Sequence, residues 1–140
     1  MSDPSTKPGR PLPRANVYVD TRPFWEGVAQ GKLMLQYCTE ANRFQHYPRP
    51  VSQYTGRRTL TWREVRGTGT VYAATVVRIP GPGLEGRTPL SVVTVEVDEG
   101  VRILGNVLDC SPEDVKIGAR VKLAWDRLSG DAMYPAFVLA

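Results

Sequence analysis

Arginines dominate the charged residues between positions 41 and 70, and they suggest phosphate binding. A single acidic residue, Glu64, and no lysine accompany them in this stretch. The arginines are Arg43, Arg49, Arg57, Arg58, Arg63 and Arg66. A planar guanidinium group binds phosphate through two parallel hydrogen bonds, which a lysine ammonium group cannot match. Tyr47, Tyr54 and Trp62 are interleaved with the arginines and offer flat faces for stacking. The pattern favours a ligand with both phosphate and an aromatic base; a solvated basic surface is the alternative.

Residues that could perform catalysis or bind a metal are scarce. The chain has one histidine, His46, and two cysteines, Cys38 and Cys110. The candidate nucleophiles for His46 are Cys38 and Ser52, and no motif fixes their geometry as a catalytic triad would require. Neither a G-x-G-x-x-G fingerprint nor a P-loop occurs. The sequence therefore predicts no catalytic residues, and His46 is expected to be a surface or packing residue.

The overall composition limits the possible architectures. A length of 140 residues suits one ordinary domain, or a small domain with an appendage, and is too short for a TIM barrel or a Rossmann enzyme. The formal net charge is +4, and the positive excess lies in the first half. No apolar run approaches the ~20 residues of a membrane-spanning helix, and the N-terminal residues lack the apolar centre of a signal peptide. We therefore expect a cytoplasmic protein with reduced thiols and no membrane partner.

A short amphipathic helix is predicted after residues 1–20, which are polar, rich in proline and expected to form a flexible tail. The helix begins at Thr21 and ends near Gly31. A helix this short is unstable alone, so its apolar face must dock on the same chain or on another subunit. The sequence does not distinguish these alternatives, and the second makes the face a partner-binding surface. The face consists of Phe24, Trp25 and Val28.

The rest of the chain is predicted to be mainly β. Residues 33–38 form one strand, and residues 39–59 are irregular. From residue 60 onward, five clear strands alternate with turns rich in glycine and proline, and a capped helical turn precedes the fourth. This pattern favours a five-stranded OB-fold barrel at residues 60–140, with an SH3-like barrel as the alternative. Residues 21–59 then form a separate N-terminal unit.

Several runs of residues, in a fixed order, resemble a known family. They are PFWEG (23–27), GKLMLQ (31–36), YPRPV (47–51), GTGTVY (67–72), TVV (75–77), VEVDEGVR (95–102), GNV (105–107) and PEDVKIG (112–118). The chain resembles small two-part proteins, long catalogued as a domain of unknown function, with an N-terminal helix, a rubredoxin-like zinc ribbon and a C-terminal OB fold. The resemblance covers residues 21–140. It implies a small partner subunit of a thiolase, an acyltransferase or another acyl-CoA enzyme.

The chain departs from this family at the metal site. The family has Cys-x-x-Cys on either side of a Pro-Arg-Pro segment, but here the four positions are Cys38, Ala41, Ser52 and Thr55. A structural zinc ion needs four nitrogen or sulfur ligands, and His46 would add only a second. We therefore expect a degenerate ribbon without zinc. Residues 39–59 must then be held by their own packing, with an aromatic and proline cluster against Trp62, or by a partner.

The resemblance and the arginines together imply a non-catalytic accessory subunit. In this interpretation no cofactor is bound tightly, and a coenzyme A thioester is shared with the partner enzyme. The residues expected to bind its ADP portion are Arg43, Arg49, Arg57, Arg58, Tyr54 and Trp62. More finely, Arg49, Arg57 and Arg58 are expected to contact phosphate, with Tyr54 or Trp62 beside the adenine. The alternative is an OB-fold protein that binds single-stranded nucleic acid, which the net acidic second half makes less favourable.

Overall fold

The computed structural model describes residues 15–81, 84–127 and 133–140, so most of the predicted tail lies outside the described residues. The first element is α1 (Arg22–Ala29), whose buried residues Phe24, Gly27 and Val28 lie on one face. Gly31, with a φ of 70°, follows its end. The hydroxyl of Thr21 accepts a hydrogen bond from the backbone N–H of Tyr18 at 3.0 Å instead of capping the helix. The predicted helix is confirmed, and its face docks on this chain.

A three-stranded antiparallel sheet, the first sheet, follows the helix. Its order is β2 (Arg43–Gln45), β1 (Leu33–Cys38) and β3 (Leu60–Val65). The β1–β3 register runs from Leu33 opposite Val65 to Cys38 opposite Leu60. The domain boundary predicted at residue 60 therefore falls before a strand that hydrogen-bonds with the first sheet. The loop between β2 and β3 hydrogen-bonds to the side chains of Gln36 and Gln45, so it lies against the face of the first sheet that carries them.

The second sheet, the OB sheet, has the strand order β6-β5-β4-β8-β9-β7. The strands are β4 (Gly69–Val77), β5 (Leu90–Val97), β6 (Arg102–Gly105), β7 (Val107–Leu108), β8 (Arg120–Arg127) and β9 (Met133–Leu139). Only Asn106 separates β6 from β7, although they lie at opposite ends of the sheet order, so the sheet closes into a barrel. A 3₁₀ turn at Pro112–Asp114 precedes β8.

The strand order is that of a five-stranded OB fold whose third strand is interrupted at Asn106. The mainly β class and the OB fold predicted from the sequence are confirmed, and the SH3-like alternative is wrong. The short parallel pairing of β7 with β9, from Val107 opposite Phe137, closes the barrel.

One continuous hydrophobic core joins the two sheets and the helix. In the barrel it contains Val95, Val121 and Phe137, each with no exposed surface. Val28 and Leu33 extend the same core toward the helix and the first sheet. The two units are therefore packed together, and the space between them can form a ligand site.

Candidate functional site

A polar cavity of about 520 Å³ lies between the first sheet with its loop and the OB sheet. Arg43 and Tyr54 line it from the N-terminal unit, and Glu96, Arg102 and Leu104 line it from β5 and β6. The volume is in the range of small-molecule sites. Two arginines on opposite walls give this cavity a cationic character that suits an anionic ligand.

Arg43 and Tyr54 form the first wall. The guanidinium carbon of Arg43 lies 4.3 Å from the centre of the Tyr54 ring, a cation–π contact. The Tyr54 hydroxyl donates a 2.7 Å hydrogen bond to the carbonyl oxygen of Phe44, which fixes the ring against β2. Among the residues that the structure describes, no carboxylate forms an ion pair with Arg43. Its charge is therefore available to a ligand.

Arg102 forms the second wall from the OB sheet. Its Nε donates a 3.2 Å hydrogen bond to Glu96, directly opposite on β5. Its guanidinium carbon lies 3.7 Å from the centre of the Tyr72 ring, and Tyr72 is half exposed. The carboxylate of Glu96 neutralises part of this charge, so Arg43 is the stronger anion-binding group of the pair.

An apolar cavity of about 260 Å³ adjoins the polar one. The two cavities share His46, Tyr47 and Leu104 as lining residues. The apolar cavity continues between α1, β6 and β9, and its remaining walls include Trp25 and Ile103. A single amphipathic ligand could therefore place charged groups beside Arg43 and an apolar chain beside Trp25.

His46 stands between the two cavities without carrying charge at neutral pH. Burial lowers the pKa of His46 to about 4. The imidazole packs on aromatic rings, with centroid distances of 5.9 Å to Phe24 and 4.3 Å to Tyr47. A neutral ring in this setting is a weak base and a packing group, in line with the expectation from the sequence.

The structure brings together only part of the predicted ADP-binding set. Arg43 and Tyr54 share the polar cavity, whereas Arg57 forms a 2.7 Å ion pair with Glu40. Trp62 is partly buried and packs against the hydrophobic core. Arg49 and Arg58 are exposed and do not line either cavity. The geometry therefore moves the candidate anion site from the predicted trio of Arg49, Arg57 and Arg58 to Arg43.

The predicted partner-binding face of the helix needs a correction. Phe24 and Val28 are 9% and 3% exposed because they belong to the core of this chain. Trp25 is partly buried, with ring centroids 4.9 Å from Phe24 and 5.7 Å from Tyr134. Phe24 and Val28 are thus not free to dock on another subunit. The part of Trp25 that lines the apolar cavity is what remains accessible.

Sequence reasoning missed the contribution of the β5–β6 hairpin. Arg102 lies opposite Glu96, and Leu104 lies opposite Thr94. Because opposite residues of an antiparallel pair share a face, these four side chains project from the same side of the sheet. The turn at residues 98–100 was visible in the sequence and implied this register. No local pattern indicated that this face lies opposite Arg43.

A family model described as the C-terminal OB-fold domain of ChsH2 matches residues 62–126. This match covers slightly less than half of the chain. A solved structure described as "Ltp2-ChsH2(DUF35) aldolase" contains a chain similar to this one over 90% of this chain and 98% of its own length. Its TM-score is 0.81 and its sequence identity 29%. The resemblance to OB-fold proteins of the DUF35 type is thus confirmed.

Two curated relatives of this chain have different names. One from Thermomonospora curvata, "Probable enoyl-CoA hydratase alpha subunit", is 30% identical over 94% of this chain and 41% of its own length. One from Methanocaldococcus jannaschii, "DUF35 domain-containing scaffold protein", is 36% identical over 54% of this chain and 55% of its own length. The chain thus spans about half or less of these relatives. No helix in the described parts of the chain is long and apolar enough to cross a membrane.

Proposed function

We propose that this chain is a non-catalytic accessory subunit of a complex that processes acyl-CoA. The partner, a thiolase-like or acyltransferase protein, supplies the nucleophile and the general base. This chain contributes part of the coenzyme A site and stabilises the partner. The names of its relatives support this assignment, because they include a probable enoyl-CoA hydratase subunit, a scaffold protein and a ChsH2 protein named together with Ltp2.

The observation that carries the proposal is the junction of a cationic cavity with an apolar one. Coenzyme A thioesters carry phosphates and adenine at one end and an uncharged arm with an acyl group at the other. Arg43 and Arg102 provide charge for the phosphates, and the Tyr54 ring provides a face for the adenine. The apolar cavity beside Trp25 and Ile103 receives an uncharged part of the ligand.

The neutral His46 side chain fits a role in shaping the ligand site rather than in catalysis. A general base needs a pKa near the working pH, and burial takes the pKa of His46 well below that range. The imidazole instead forms an uncharged wall between the two cavities. A bound ligand can then extend from the cationic cavity into the apolar cavity along a wall that carries no charge.

Co-expression with the products of neighbouring genes tests the proposal. We expect this chain to co-elute in size-exclusion chromatography with an acyl-CoA enzyme, and that enzyme to lose activity or solubility when expressed alone. If the chain binds a single-stranded oligonucleotide in a salt-sensitive manner and forms no complex with such an enzyme, the nucleic-acid alternative replaces the proposal.

A further inference from the structure

The four positions that the family resemblance assigns to zinc ligands form a hydrogen-bonded centre in this chain. Cys38 and Ser52 are 0% and 1% exposed. The backbone N–H of Ala41 donates to the sulfur of Cys38 at 3.4 Å. The backbone N–H groups of Tyr54 and Thr55 donate to the Ser52 hydroxyl oxygen at 3.1 and 3.4 Å. Cys38 and Ser52, the first members of the two Cys-x-x-Cys positions of the family, therefore both accept hydrogen bonds from the backbone that follows them.

A fifth residue, Thr59, connects the two turns. Its hydroxyl oxygen lies 3.3 Å from the sulfur of Cys38 and 3.2 Å from the hydroxyl oxygen of Thr55. The Ser52 side chain also lies beside the Cys38 thiol. We call Cys38, Ser52, Thr55 and Thr59 the thiol–hydroxyl cluster. Its members join the end of β1 to both ends of the following loop.

The donor set of this cluster does not fit a structural zinc ion. Zinc in such sites is held by four thiolate or imidazole ligands, whereas the four family positions here offer one thiol, two hydroxyl groups and the methyl group of Ala41. The imidazole of His46 packs on the rings of Phe24 and Tyr47. Within the described parts of the chain, no group of three or more His, Cys, Asp or Glu residues could hold a metal ion.

A second buried network supports the same loop. The Gln36 amide group donates to the carbonyl oxygen of Arg49 at 2.8 Å and accepts from its N–H at 2.9 Å. The Gln45 amide group accepts from the N–H of Gln53 at 2.8 Å and donates to the carbonyl oxygen of Val51 at 3.2 Å. The middle of the loop is thus fixed to β1 and β2 by side chains that need no metal.

We propose that the thiol–hydroxyl cluster replaces zinc as the structural centre of residues 38–59, so that the chain folds without a metal while keeping the four former ligand positions convergent. Hydrogen bonds between buried and partly buried partners give this loop the cross-links that four zinc–ligand bonds would otherwise give. The proposal concerns folding and is independent of the proposed accessory role.

Metal analysis of the purified full chain is the first test. We expect far less than one zinc ion per chain, and the same thermal unfolding midpoint with and without a chelator. Ser52→Ala should lower the midpoint by roughly 5 °C or more, since it removes the two hydrogen bonds that the buried Ser52 hydroxyl accepts from the backbone of Tyr54 and Thr55. The exposed Thr61→Ser on β3 is the control and should leave the midpoint nearly unchanged. One tightly bound zinc ion, or a chelator-induced drop in the midpoint, would overturn the proposal.

Restoring the ligands tests whether the positions still converge. The variant Ala41→Cys/Ser52→Cys/Thr55→Cys has four thiols with Cys38, and it should bind one Co²⁺ ion with the visible absorption of a tetrahedral thiolate site. Adding Cys38→Ser to this variant should weaken the binding at least tenfold. A folded triple variant that binds no cobalt would refute the convergence of the four positions. If the triple variant does not fold, the chelator test on the wild-type chain still decides whether the centre is free of metal.

Discussion

The guanidinium carbon of Arg43 lies 4.3 Å from the centre of the Tyr54 ring, so a cation from β2 and an aromatic face from the following loop form one wall of the polar cavity. The sequence predicted both residues as ligand-binding without placing them in contact. Their contact, opposite the Arg102 wall, is the geometry on which the proposed coenzyme A site depends.

Gly69 is expected to tolerate no side chain. A Cβ atom there would lie 2.4 Å from the carbonyl oxygen of Glu96 and 2.8 Å from the Cα of Val97, and both are backbone atoms that cannot move aside. Gly69→Ala should therefore lower the free energy of unfolding by about 2–3 kcal/mol or more. Urea denaturation measures the change. Gly86→Ala is the control, because its Cβ would meet nothing within 4 Å; equal losses in both variants would refute this account.

The buried amide pair is expected to contribute strongly to stability. Gln45 is 1% exposed, and its Nε2 donates to Oε1 of Gln36 at 2.8 Å. Gln45→Leu leaves the N–H of Gln53 and the carbonyl oxygen of Val51 without this partner, at a cost of about 2–4 kcal/mol. Chemical denaturation of Gln36→Leu, Gln45→Leu and the double variant gives the coupling energy. The exposed Gln53→Ala should change stability little, and a zero coupling energy would contradict the network.

Stability is expected to fall as the pH drops from 6.5 to 5, because of His46. Burial lowers its pKa from 6.5 to about 4, so the folded state excludes a proton that the unfolded state binds. Above about pH 6.5 neither state is protonated and stability is at its full value. Below that pH the unfolded state gains the proton, and stability falls until the folded pKa is reached. At about 1.4 kcal/mol per pKa unit, the loss is about 2 kcal/mol by pH 5 and about 3.5 kcal/mol once the folded pKa is reached.

Denaturation at several pH values between 5 and 8 measures this dependence. His46→Phe keeps an aromatic ring against Phe24 and Tyr47 and has no titrating group. Its stability should therefore vary much less over this range. An unchanged slope in His46→Phe would show that another group carries the pH dependence.

The strands were predictable because their residues follow local rules. In β5, alternate residues such as Val93 and Val95 are buried, and the turn at residues 98–100 sets the hairpin register. These signals depend only on residues close in sequence. Five predicted strands at residues 60–140, with a helical turn before the fourth, were the pattern that favoured the OB fold.

The features that were missed depend on residues distant in sequence. The pairing of β3 with β1 places Leu60 opposite Cys38 across the irregular loop. The hydrophobic periodicity of the sequence does not predict this pairing. The placement of Arg102 and Arg43 in one cavity also depends on residues distant in sequence. Gln36 and Gln45 are buried, although glutamine is usually exposed. Their burial is possible because the loop supplies hydrogen-bond partners for both side chains, and those partners are set by the fold. The ion pair between Arg57 and Glu40 also depends on the fold of that loop, so the sequence could not indicate it.

The apparent KM of the assembled complex for acyl-CoA tests the central claim most directly. Complexes with the wild-type chain, Arg43→Glu and Arg58→Glu are compared at equal assembly, which size-exclusion chromatography confirms. Arg43→Glu should raise KM roughly tenfold or more with little change in kcat, because it removes a charge-assisted contact worth about 1.5–3 kcal/mol. Arg58→Glu, outside both cavities, should leave KM nearly unchanged. An unchanged KM for Arg43→Glu in a fully assembled complex would contradict a coenzyme A site in this chain.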